Sequence, residues 1–132
     1  MSPTPRMTNT DTYSLRISPH PAGIRVAVSG ESSFDNTVAY WRIIIAEVQA
    51  RHPKGVLLID ELRGKPLSAE QWQSLVAAIL GQGLESTLIA HVKPHGLQLI
   101  EHCEIYAQEA GFNARVFEDE AVADMWLRHG EH

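Results

Sequence analysis

Gly55-Val56-Leu57-Leu58-Ile59-Asp60 holds an unbroken apolar run that ends on a carboxylate. The run Val56 to Ile59 shows no alternation of apolar and polar residues. A strand of this kind must be buried on both faces, which is the position of a central strand in a parallel α/β sheet. Parallel neighbours need crossover connections, usually helices, so the flanking sequence should read as helix on either side.

It does so. Upstream, Phe34, Val38, Trp41, Ile45 and Val48 recur at three or four residues, which makes one face of a helix. Ser32 or Ser33 can cap it, Asp35 suits the dipole in its first turn, and His52-Pro53 ends it. Before that helix, Tyr13, Leu15 and Ile17 alternate with polar residues, and Ile24, Val26 and Val28 do the same. The turn His20-Pro21-Ala22-Gly23 joins these runs into a β-hairpin. Downstream, Arg63-Gly64-Lys65-Pro66 is loop, and Ser68 stands at capping-box spacing from Gln71. Trp72, Leu75, Val76, Ile79 and Leu80 form the next apolar stripe, stopped by Gly81 or Gly83.

The alternation continues to the end. Thr87 to Val92 reads as a strand and Lys93-Pro94-His95-Gly96 as a turn. Leu97 to Ala110 reads as a helix with Ile100, Cys103, Ala107 and Ala110 on one face, closed by Gly111-Phe112. Ala114 to Phe117 is the last strand, and Glu118, Asp119 and Glu120 open a final helix carrying Val122, Met125 and Trp126. The expected fold is α/β: a mixed, mostly parallel five-stranded sheet with an N-terminal hairpin and about four helices. Residues 1–12, rich in Ser, Thr and Pro, are expected to be a flexible tail, and residues 13–129 a single domain.

Composition narrows the functional classes. The chain has 132 residues, 44% apolar and 20% charged, with a formal charge of -5. That is ordinary for one globular domain. No cluster of Lys or Arg suggests nucleic acid or an anionic membrane. No run is long enough to be a transmembrane segment, and the single Cys103 fits a reducing compartment, so the cytoplasm is the expected location.

The richest polar cluster is Asp60, Glu61, Arg63 and Lys65, directly after the central strand. Ligands of open α/β sheets favour strand C-termini, so these residues, with Ser68, Lys93 and His95, are the candidate binding residues. Glu31, Ser32 and Ser33 would flank them. The simpler reading is a solvated ionic loop, with Ser68 as a helix cap. Asp60 and Glu61 are adjacent on an extended segment and point to opposite faces, which suits paired acid–base work poorly. His91, His95, His102 and Cys103 lack metal-ligand spacing, and no nucleophile elbow, dinucleotide turn or Walker loop is present. No catalytic residue, metal or cofactor is therefore expected. Cys103 reads as a small core residue.

The element order, the run "VLLIDELRG" at Val56 to Gly64 and the close "GFNARVFEDEAVADMWL" at Gly111 to Leu127 resemble the SpoIIAA-like branch of the STAS superfamily, also described as STAS/SEC14-like. The resemblance implies a bacterial, cytoplasmic, non-enzymatic regulatory or protein-interaction module, acting through a protein partner or by self-association as a homodimer. STAS antagonists of anti-sigma factors carry a phosphorylated Ser or Thr in an Asp-Ser-Ser/Thr-Gly-like turn after the central strand. Here the equivalent stretch is Asp60-Glu61-Leu62-Arg63-Gly64-Lys65-Pro66-Leu67-Ser68, without the Ser/Thr pair. The SEC14-like side of the resemblance implies an alternative, a binder of an apolar or amphipathic small molecule. That alternative requires an enclosed apolar cavity of several hundred Å³.

Overall fold

The computed structural model describes residues 6–94 and 101–129. In chain order the elements are β1 (Arg6–Asn9), β2 (Tyr13–His20), β3 (Gly23–Glu31), α1 (Phe34–Arg51), β4 (Gly55–Arg63), α2 (Ala69–Ile79), a 3₁₀ turn (Leu84–Ser86), β5 (Leu88–Val92), α3 (Glu101–Glu109), β6 (Asn113–Phe117) and α4 (Glu120–His129). The strands form one six-stranded sheet in the order of the sequence, β1 to β6. β1, β2 and β3 pair antiparallel, and β3, β4, β5 and β6 pair parallel.

The sheet has one strand more than the alternation of side chains suggests. Arg6–Asn9 pairs with the outer edge of β2, from Arg6 opposite Ile17 to Asn9 opposite Ser14. Part of the expected tail is thus a strand, formed without an apolar stripe. Backbone pairing and the turn at Thr10 hold it. The Thr10 hydroxyl accepts from the N–H of Tyr13 at 3.1 Å, and the Thr10 N–H donates to the Tyr13 carbonyl at 2.8 Å.

β4 is central and buried on both faces, as its composition requires. Val56 and Leu58 point to one face, into a core shared with Tyr40, Trp41, Ile44 and Ile45 of α1, Trp72, Leu75, Val76 and Ile79 of α2, and Ala107 of α3. Leu57 and Ile59 point to the other face, where Ala123, Trp126 and Leu127 of α4 cover them together with Ala90 and Val92. α4 is fastened there by Arg25, which donates to both carboxylate oxygens of Glu120 at 2.9 and 3.1 Å.

The helix ends follow local chemistry. Ser33, rather than Ser32, caps α1 by accepting from the Asn36 N–H at 3.1 Å. His52 closes the helix in the left-handed region, its N–H on the Val48 carbonyl, ahead of Pro53. The Phe112 N–H returns to the Ala107 carbonyl at 2.9 Å beyond α3, the bond of a Schellman closure.

Three residues placed on apolar stripes are instead exposed: Leu80, Val122 and Met125. Leu80 has left the helical conformation at the end of α2. On α4 the contact side runs through Ala123, Trp126 and Leu127, which leaves Val122 and Met125 on the solvent side. The start of the expected helix at Leu97, the turn at His95-Gly96 and Ile100 lie outside the described residues, as does the side chain of Cys103.

Candidate functional site

The site begins at the C-terminal end of β4, where register decides which side chains meet. Val28 of β3 lies beside Asp60, and Leu58 of β4 lies beside His91 of β5. Strand side chains alternate, so Asp60, two residues after Leu58, and Lys93, two after His91, share the face covered by α1 to α3. All three ionisable groups are buried, with Asp60 at 4%, His91 at 2% and Lys93 at 7% of their surface exposed.

They form one bonded cluster. His91 Nε2 lies 2.8 Å from Asp60 Oδ2. Lys93 Nζ donates to Asp60 Oδ1 at 3.2 Å and to the Leu62 carbonyl at 2.6 Å. The Leu62 N–H donates to Asp60 Oδ1 at 3.0 Å. Burial pushes the Asp60 carboxyl up, but the His91 hydrogen bond, the pull of His91 and Lys93 and the Leu62 N–H outweigh it, and the group sits below its ordinary value. An ionised carboxylate only accepts, so the His91 nitrogen that faces it carries the proton. The Trp72 and His91 rings meet in an edge-to-face arrangement, with centroids 6.4 Å apart.

This cluster fixes both backbone polar groups of Leu62, the last buried residue of β4 before the loop turns outward. The loop is tied a second time from β3. The Ser32 N–H donates to the Arg63 carbonyl at 2.8 Å, and the Ser32 hydroxyl donates to the Lys65 carbonyl at 3.0 Å. Between these anchors Arg63, Gly64, Lys65 and Pro66 are exposed, while Leu67 is buried. Ser68 then caps α2 with a complete capping box: its hydroxyl accepts from the Gln71 N–H at 3.1 Å, and Gln71 Oε1 accepts from the Ser68 N–H at 2.9 Å. Replacing Ser68 by Ala should therefore cost about 1 kcal/mol of stability through the lost cap. Urea denaturation of Ser68→Ala tests this, and a change below the error of the fit would argue that the hydroxyl has another task.

The candidate residues divide into two groups. Asp60 and Lys93 meet in the buried cluster. Arg63, Lys65 and Ser68 lie on the exposed loop above it. Glu61 is exposed on the opposite face of the sheet, as alternation dictates, and joins Met7, Arg16 and Ser29 in lining a shallow groove of about 150 Å³. His95 lies outside the described residues. His91 is the member that spacing alone did not bring to Asp60.

An open cleft of about 440 Å³ runs along the end of β4 and β5, lined by Asp60, Glu61, Leu62, Arg63, Gly64, Lys93 and Pro94. Its walls carry two acids and two bases, so it presents no excess of one charge. Among the described residues no three His, Cys, Asp or Glu side chains converge as metal ligands. Also among them, no helix is long and apolar enough to cross a membrane. No protein-family model matches the chain, and no curated protein matches it.

Proposed function

We propose that the protein is a non-enzymatic regulatory or protein-interaction module of the STAS/SpoIIAA type. Its contact surface is the loop from Arg63 to Ser68 with the adjoining start of α2, and its location is the cytoplasm. The observation that carries this reading is how the loop is held. An exposed ionic tip, Arg63 to Lys65, stands on a backbone fixed from below by Asp60 and Lys93 and from the side by Ser32. A preorganised surface loop loses little entropy when a partner docks. The position after the central strand is also where the family resemblance places the turn whose phosphorylation switches partner binding.

Regulation by phosphorylation is not part of this proposal, because Ser68 is engaged as a helix cap and no Ser/Thr pair precedes it. The geometry favours an interaction module over a carrier of apolar molecules. Among the described residues, the spaces lined by Trp72 and by Trp41 measure only about 20 Å³ each. The larger cleft is open and charged.

The test compares wild type with the charge-reversed pair Arg63→Glu and Lys65→Glu in quantitative capture from the native cell. Both side chains are exposed, so the melting temperature should stay within a degree or two of wild type. Partners retained by wild type should be lost or strongly depleted with the variant. An identical capture profile from both proteins would overturn the assignment of this loop.

A further inference from the structure

Beneath the same loop lies a polar group that no described residue satisfies. Trp72 is 3% exposed, and its indole N–H reaches no acceptor among the described residues. A buried donor left in that state carries its full desolvation penalty, and native interiors meet nearly all such groups with protein atoms or ordered water.

Trp72 lines a small, partly open space of about 20 Å³, bounded also by Tyr40, Asp60 and Lys93 and, on its outer side, by Gly64 and Pro66 of the exposed loop. One water requires roughly 10–15 Å³, so the space is large enough for one water. A water there also needs an acceptor for its own hydrogens. Among the described residues Asp60 Oδ2 has one partner, His91, and a carboxylate oxygen can accept more than one hydrogen bond.

We propose that this space is a hydration site holding one ordered water, which accepts from Trp72 Nε1–H and donates to the Asp60 carboxylate. The chemistry of the wall selects the occupant. The indole N–H and the Lys93 ammonium present hydrogens and repel a cation, whereas the Asp60 carboxylate repels a halide. Of a cation, a halide and water, water is the one that can accept from one side and donate to the other. The bridge connects the first turns of α2 to the buried cluster at the end of β4. This inference is independent of whether the loop above binds a partner.

The test is nuclear magnetic resonance on protein with ¹⁵N-labelled tryptophan. The Trp72 indole resonance is assigned by its loss in Trp72→Phe, or by through-space contacts to His91 if that variant does not fold. The expected result is magnetisation transfer between water and the Trp72 indole proton. Its sign should be opposite in laboratory-frame and rotating-frame experiments, the mark of a water held longer than a surface water. Trp126 is the control: its N–H is also buried with no acceptor among the described residues, but it packs on the opposite face of the sheet, away from Asp60. It should show no such transfer. Absence of transfer at Trp72, or equal transfer at Trp126, would overturn the proposal.

Discussion

Replacing Asp60 by Ala is expected to destabilise the protein by about 3–5 kcal/mol, the usual cost of stripping a buried ion pair of one member. The variant leaves the Lys93 ammonium, at 9% side-chain exposure, without its carboxylate. It also removes the acceptor of the Leu62 N–H and the partner of His91. Total stabilities of about 5–15 kcal/mol are typical of such domains, so the variant should approach the unfolding threshold. Lys93→Met should cost less, because Asp60 keeps His91 and the Leu62 N–H. Urea denaturation measures both, and hydrogen exchange at the Leu62 amide should accelerate in Asp60→Ala. A loss under about 1 kcal/mol for Asp60→Ala would place the cluster among the weakly contributing pairs and contradict the geometry.

The same carboxylate sets a pH dependence. Its folded value lies below the ordinary one. The stability it contributes is therefore fully present above the unfolded carboxylate value, about 3.9. It is lost as the pH falls through the lower, folded value. Wild type should thus lose stability on acidification below about pH 4 more steeply than Asp60→Asn, which has no proton to take up at this site. Parallel acid titrations of the two proteins, followed by circular dichroism, would show the difference in slope.

The second large effect is expected at Gly23, where the hairpin hands over to the parallel part of the sheet. Its φ is +146°, and a Cβ placed there would overlap the carbonyl oxygen of Gly55, its register partner on β4. Neither atom can step aside, because both belong to paired strands. Gly23→Ala should therefore combine backbone strain with steric displacement, about 2–5 kcal/mol together. Gly81 gives the comparison. It too has a positive φ, +78°, but a methyl group added there would meet nothing within 4 Å. Gly81→Ala should cost about 1 kcal/mol, the strain alone. Equal losses in thermal or urea unfolding would refute the role given to the Gly55 carbonyl.

What could be read from the chain was whatever rests on local periodicity. The Val56 to Ile59 run identifies a strand buried on both faces, and Ser68 with Gln71 marks the start of α2, because each signal is complete within a few residues. β1 escapes that kind of reading. Its stability lies in backbone pairing with β2 and in the Thr10 turn, and neither leaves an apolar pattern. Asp60 and Lys93 were legible as polar residues at strand ends, but not as partners. Their meeting with His91 depends on β4 lying beside β5 with Leu58 opposite His91, a register set by contacts distant in sequence. Val122 and Met125 show the reverse limit. A helix only ten residues long can present more than one apolar stripe, and packing on the sheet selects one.

The strand order also bears on how the molecule assembles. Each strand from β2 onward lies beside the one made immediately before it, and no later segment must be inserted between two earlier ones. Every closure is then a single step of modest entropy, since loop closure becomes costlier only slowly with length. The nascent sheet can grow by addition at one edge, and α4, the last helix, then covers the second face of β4 and β5. The Asp60–His91–Lys93 cluster cannot form until β5 has joined, so the backbone of Leu62 is fixed only late in that growth.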